Sequence, residues 1–295
     1  MPDDPQPYAS YSLPWRGLPS DLPEEMEVFA IGDVHGQADL LVQVLDEIKI
    51  TPRQARTRHL VFLGDLIDRG PESVRAVDIA MGASQFASAD ELHVLPGNHD
   101  LSLIFALSSP RLLSRWVSDG GGSVLAEIGM SESKHSSGEI TEELKRVLHP
   151  EYLHRMAEGP THKYLGEILF VHAGVHPYGD IAEFLAQDRF FVAIEDHWAT
   201  MRYPFLSHRE GWDLRDPNPK RRYHKPTVIV HGHTPALRRD IVTPDDLKVC
   251  DGIEDYRTIA LDIGAAYRPQ LAFAHFRSQH GAAQVQISAV KKFLV

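Results

Sequence analysis

Cysteine is almost absent from this chain: Cys250 is the one cysteine in 295 residues. An intramolecular disulfide is therefore excluded, and there is no Cys-x-x-Cys pair for structural zinc or redox exchange. A reducing, cytoplasmic setting is the expectation. Long apolar runs are also missing, with no stretch of about 18 apolar residues to span a bilayer. The first residues lack the basic start, apolar run and small-residue cleavage site of a secretory signal. Basic residues are in deficit, 30 Lys and Arg against 41 Asp and Glu, for a formal net charge of −11. That balance argues against nucleic acid or an anionic membrane as partner. Small anionic substrates remain open, because a local cationic site can outweigh a diffuse negative surface.

What is present is an average globular composition, 43% hydrophobic and 24% charged, enough for a sizeable core. Six prolines fall in the first 25 residues. They read as breakers of helix and strand, so residues 1–25 are expected to form an extended proline-rich arm, with Trp15 and the tyrosines packing on the body. From Met26 the pattern becomes that of an α/β protein. The runs MEVFAI, HLVFLG, ELHVLP, ILFVHA, TVIVHG, TIALDI and LAFAHF predict buried strands. Leu40, Leu41, Val44, Leu45 and Ile48 mark one face of a helix between the first two, and Pro71 suits the N1 position of the next. Between residues 101 and 165 strand signals give way to helix formers and a polar run. This predicts a helical insertion within a single domain, residues 26–295.

Several strand ends carry Asp, Asn or His. IGDVHG supplies Asp33 and His35; LGDLIDRG supplies Asp65, Asp68 and Arg69; PGNHD supplies Asn98 and His99; VHAG and VHGHTP supply His172, His231 and His233. The crevice beyond the carboxyl ends of strands in an open α/β sheet is where ligands bind, so separate strands can aim these groups at one point. Gly32, Gly64 and Gly97 precede the polar residues and allow tight turns. Carboxylate, imidazole and amide oxygen without thiolate suit Mn, Fe or Zn, with manganese the expectation. Asp33 and His35 can grip one ion; Asn98, His172 and His233 are available for a second, with Asp65 able to bridge both. Two Asp ligands leave two divalent ions with net positive charge, so such a site attracts a phosphate. Arg69 is close enough to hydrogen-bond the phosphate oxygens.

This ordered series resembles the calcineurin-like metallophosphoesterases, and within them the phosphoprotein phosphatase branch with its bacterial and phage-type members. The resemblance runs from about Phe29 to Tyr267 and includes WVSDGGG and LDIGAAY. It implies a four-layer α-β-β-α sandwich of two mixed sheets. It also implies Asp33, His35 and Asp65 as ligands of the first metal, and Asp65, Asn98, His172 and His233 as ligands of the second. His99 resembles the family's non-ligand histidine, which protonates the leaving oxygen, with Asp68 placed to orient it. Arg202, in WATMR, resembles the family's second phosphate-binding arginine; Arg215, Arg221 and Arg222 lie in the same loop-rich region. His231 reads as a strand-end packing histidine, and His93, His176, His197, His208 and His224 as surface or core residues.

The function expected is hydrolysis of phosphomonoesters, chiefly phosphoserine and phosphothreonine on proteins, favoured by Asp68-Arg69-Gly70 and Gly232-His233-Thr234-Pro235. The alternative is a symmetrical dinucleoside tetraphosphate hydrolase, toward which Asp100 after Asn-His leans. A silent phosphate-binding scaffold would have lost ligands, and none is lost. Ile263 and Ala266 replace the branch's common Thr and Val, and residues 131–148 have no counterpart in it.

Overall fold

The computed structural model describes residues 7–189, 195–209, 212, 227–255 and 257–293. Arg215, Arg221, Arg222 and His224 lie outside them. In chain order the elements begin β1 (Tyr8–Ser12), β2 (Arg16–Asp21), β3 (Met26–Ile31), α1 (Ala38–Ile50), β4 (Thr57–Phe62), α2 (Ser73–Met81), α3 (Ala83–Phe86) and β5 (Glu91–Val94). A helical stretch follows: α4 (Asn98–Ala106), α5 (Pro110–Trp116), α6 (Gly122–Glu127), α7 (Ser137–Val147) and α8 (Pro150–Glu158). Then come β6 (His162–Leu165), β7 (Ile168–Val171), α9 (Ile181–Leu185), β8 (Val228–His231), β9 (Asp251–Gly252), β10 (Thr258–Ala260), β11 (Gln270–Gln279) and β12 (Ala282–Lys292).

Both sheets are mixed. The first runs β1-β12-β11-β3-β4-β5, with β2 also paired to β12; β3, β4 and β5 are parallel and β11 is antiparallel to β3. The second runs β6-β7-β8-β10-β9, parallel at its centre and antiparallel at both margins. Alternation along each strand separates the cores. In β3, Val28 and Ala30 join the core between the sheets, while Phe29 and Ile31 face the helices. The expected face of α1 is buried, each side chain contributing about 1.5–3 kcal/mol. Ile140, Leu144, Tyr152 and Met156 of the helical stretch pack into the same core as α1 and α2. A third core, with Phe184, Trp198 and Phe205, covers the outer face of the second sheet. The fold is the two-sheet sandwich expected of the family, and on that outer face the α-helices among the described residues are α9 and, through Leu101 and Phe105, α4.

The first residues depart from the expectation that proline would prevent strand formation. Pro14 falls between β1 and β2, and Pro19 lies in β2, whose strand partner among the described residues is β12 alone; an edge strand tolerates the lost donor. Trp15 does pack on the body, under the Arg277 guanidinium at 3.8 Å and edge-on to His275. Pro71 precedes Glu72, the N-cap of α2, and so sits outside the helix instead of at N1. Within the polar run, Ser136 and Glu139 form a capping box that opens α7.

Candidate active site

Each sheet contributes strand ends to one crevice. Asp33 and His35 follow β3, Asp65 follows β4, Asn98 and His99 open α4 after β5, His172 follows β7 and His233 follows β8. Asp65 is the junction. Its Oδ2 lies 3.7 Å from His35 Nε2 and 3.5 Å from His172 Nε2, and its Oδ1 accepts from the His99 amide at 2.9 Å. Asn98 Oδ1 lies 3.2 Å from His172 Nε2 and 2.8 Å from His233 Nδ1. The Asp33 carboxylate accepts from the His233 amide at 2.9 Å. Two groups, His35–Asp65–His99 and Asp65–His172–His233, hold their donor atoms within 4.8 Å. Asp65 belongs to both. Asp33 joins neither at that spacing, and His99 takes its place beside His35.

The local backbone is strained where the donors sit. His35, Asp65, Asp68, Arg69 and His233 all have positive φ, from 44° to 73°. Such conformations cost about 1–3 kcal/mol each and persist where the surroundings over-determine them. Here the carbonyls do so: Asp65 O accepts from both Val34 and His35 amides, and Gly120 O accepts from Arg69. Gly64, at φ 105°, supplies the turn expected of it. Gly97 is extended, and its lack of a side chain serves contact: a β-carbon there would overlap the Asp65 carboxylate.

The residues present fit divalent cations. His35 Nδ1 is paired with Ile67 O and His172 Nδ1 with Leu63 O, both at 2.9 Å. A ring nitrogen that donates to a carbonyl leaves the other with its lone pair exposed, and both remaining Nε2 atoms face Asp65. Among the described residues, the buried His233 Nε2 has no hydrogen-bond partner. Burial, together with the charges of Asp262 and Asp65, pushes the Asp33 carboxyl well above its ordinary range. Burial would also raise Asp65, but His172, His99 and His35 reverse this and hold it well below. For His172, burial opposes protonation, yet the charges of Asp65 and Asp33 and its hydrogen bonds lift it to about 9. A field that favours a proton on that imidazole favours a cation between it and Asp65.

Around the donors lie groups with other roles. Asp68 Oδ2 meets His99 Nδ1 at 2.7 Å and accepts from Trp116 Nε1 at 3.0 Å. Burial would lower the His99 pKa, but Asp65 and Asp68 raise it overall and favour the imidazolium. Arg202 is exposed in the cavity beside Asn98, and its charge is felt at His233. His231 is buried edge-on against Phe205 and kept neutral by burial, its pKa pushed down to about 4, as a packing histidine should be. Sequence reasoning did not assign Trp116, Tyr152 or Asp262. WVSDGGG is the signal for Trp116 and LDIGAAY that for Asp262, and no local motif marks Tyr152; Gly121 has no room for a β-carbon against the Trp116 ring, and Gly120 approaches Asp68, Arg69 and His99. Asp100, read as a substrate marker, is fully buried and bonded to the backbone amides of Asp65, Leu66 and Gly97.

Carboxylates and imidazoles arranged in this way at the ends of two mixed sheets define a metal-dependent hydrolase of phosphoesters. The chain belongs to the calcineurin-like phosphoesterase family, whose model matches residues 26–264. It is 25% identical over 253 residues to the asymmetrical bis(5'-nucleosyl)-tetraphosphatase PrpE of Bacillus subtilis, covering 83% of this chain and 89% of that protein. Over 164 residues it is 32% identical to a symmetrical bis(5'-nucleosyl)-tetraphosphatase of Delftia acidovorans, covering 55% of this chain and 49% of that one. Among solved structures, a Saccharomyces cerevisiae protein serine/threonine phosphatase superposes with a TM-score of 0.53 at 14% identity, over 92% of this chain and 82% of that one. At that identity the likeness concerns the fold. Among the described residues, no helix is long and apolar enough to cross a membrane.

Proposed function

We propose that the chain hydrolyses dinucleoside polyphosphates, a phosphoanhydride chemistry, with an active centre built from Asp33, His35, Asp65, Asn98, His172 and His233. The observation that carries this reading is a cavity of about 300 Å³ opening beside Asn98, walled by Phe105, Leu112 and Trp116 with Arg115 and Arg202. A half-open pocket with an apolar wall and two guanidiniums suits a nucleoside carrying phosphate, and its volume is at the lower end of the range for small-molecule sites. Of the two, Arg115 is paired with Asp119 at 3.7 Å, and Glu195 lies on the same lining. The names of the relatives that span most of this chain agree with it. Asymmetrical hydrolysis is favoured by that coverage over the symmetrical kind that Asp100 points to in the sequence.

Two divalent ions, manganese by expectation, would supply an activated water and offset the phosphoryl charge. The residues of the chain do the rest. Arg69 and Arg202 bind the phosphate oxygens and neutralise charge in the transition state. His99 carries a proton on Nε2 for the leaving oxygen, while Asp68, fixed by Trp116, holds the ring through Nδ1.

A second reading, protein serine/threonine phosphatase, is favoured by the Asp68-Arg69-Gly70 and Gly232-His233-Thr234-Pro235 segments. Manganese-reconstituted protein assayed on diadenosine tetraphosphate and on a phosphothreonine peptide separates the two. The nucleotide reading expects a kcat/KM preference of about a hundredfold, or roughly 2.7 kcal/mol, for the former. Products AMP and ATP mark asymmetrical cleavage, and ADP alone symmetrical cleavage; a peptide preference of that size would replace this proposal with the second reading.

A further inference from the structure

Arg69 joins the donor cluster to a second cavity that the chemistry above leaves unused. Its charge reaches His35, His99 and Asp262, and its guanidinium lies 5.5 Å from the centroid of the Tyr267 ring. Tyr267 is 66% exposed, a large aromatic surface left open beside a buried polar centre. The turn that presents it closes on Gly264, at φ 87°, whose carbonyl accepts from the Tyr267 and Arg268 amides at 2.9 and 3.0 Å. Pro235 and Leu237 follow His233 on the loop after β8. With Gly264, Tyr267, Arg238 and Arg268 they line a cavity of about 350 Å³. It shares no lining residue with the cavity beside Asn98. Arg268 is held by Asp240 at 3.5 Å, whereas Arg238 is exposed with no ion-pair partner among the described residues.

We infer that this cavity is a second subsite, for a nucleoside phosphate on the far side of the cleaved bond. Its base stacks on Tyr267 above Pro235 and Leu237, and Arg238 and Arg268 neutralise its phosphate. The inference rests on the nucleotide reading. A phosphomonoester has one organic group and needs one cavity; a dinucleoside polyphosphate has a group for each, with the phosphate chain crossing Arg69 between them.

The test uses manganese-loaded protein with Tyr267→Ala, Tyr267→Phe and Arg238→Glu, all at exposed positions that leave the core intact. The readout is the ratio of kcat/KM for diadenosine tetraphosphate to that for p-nitrophenyl phosphate. Loss of one stacking partner is expected to lower that ratio by about tenfold or more, mainly through KM, with Tyr267→Phe keeping it. Calorimetry with AMP is expected to find two molecules bound per wild-type chain and one per Tyr267→Ala chain. An unchanged ratio in both Tyr267→Ala and Arg238→Glu, or an unchanged AMP stoichiometry, overturns the subsite. Failure of the wild-type protein to cleave diadenosine tetraphosphate sinks the nucleotide reading instead, and the AMP stoichiometry then decides the subsite alone.

Discussion

The Tyr152 hydroxyl donates to Asp100 Oδ1 at 2.8 Å, and through this contact α8 supports the loop that carries Asp65. Asp100 Oδ2 accepts from the Asp65 amide at 2.6 Å and the Gly97 amide at 2.9 Å, so one buried carboxyl ties two strand ends together. Burial and the nearby Asp65 charge push that carboxyl up to about 6, and each hydrogen bond donated to it offsets the cost. Tyr152→Phe leaves a buried acceptor short of one donor. It should cost about 1–3 kcal/mol in urea unfolding, and a midpoint equal to wild type would show that the contact carries no weight.

Metal dependence follows from the crowding of buried carboxyls. Asp262, lifted to about 6 by burial first and then by Asp65, adds to the repulsion around Asp33 and Asp65. Chelation should abolish hydrolysis and lower Tm. Reloading with manganese at a hundred times its Kd should restore about 2.7 kcal/mol of stability per occupied site. Elemental analysis should count two ions per chain, and Asp65→Asn, which alters the donor common to both groups, should retain fewer than one.

If His99 protonates the leaving oxygen, the need for it depends on the leaving group. His99→Asn and Asp68→Asn should each lower kcat by about 10²–10⁴ on an alkyl phosphate, and by much less on p-nitrophenyl phosphate, whose leaving group needs no proton. Equal losses on the two substrates would remove the acid role.

Trp116 acts on catalysis through Asp68. Removing the indole N–H in Trp116→Phe withdraws a donor from a buried carboxylate, and kcat should fall about tenfold, as for one charge-assisted hydrogen bond. Metal stoichiometry should stay at the wild-type value, which separates this effect from collapse of the site. A parallel loss of metal would refute the assignment.

Acid should destabilise the fold through Glu27. Burial would raise this carboxyl, but His275 and Arg58, hydrogen-bonded at 3.2 and 2.8 Å, outweigh it and leave the pKa below its ordinary value. A carboxyl depressed on folding contributes stability that is full above its unfolded pKa near 4.5 and is lost as pH falls through the folded value. His275 is depressed chiefly by burial, so its protonation below about 6.5 works in the same direction. The stability held by Glu27 should therefore be lost as pH falls below about 4.5, and Glu27→Gln should flatten that limb of the unfolding free-energy curve; an unaltered slope there would sink the account.

Most of the donor set was legible because glycine-flanked polar residues at strand ends have few other reasons to recur in that order. The strands of the centre were legible for a similar reason, since burial on both faces writes an unbroken apolar run. Margins were not. In β12, Gln284, Gln286 and Ser288 alternate with apolar residues, and β1 and β2 carry prolines and polar side chains, because edge and half-covered strands need only one apolar face.

The sequence by itself determined the chemistry available: carboxylate, imidazole and amide at the ends of separate strands, with Arg69 close behind. Tertiary structure alone decided how those groups meet. Asp65 touches both halves of the site only because β4 and β7, in different sheets, end at one crevice. Trp116 and Tyr152 reach Asp68 and Asp100 across 48 and 52 residues of sequence. No local pattern encodes such contacts, since they form where helices pack against the sheet and not where neighbours along the chain direct them.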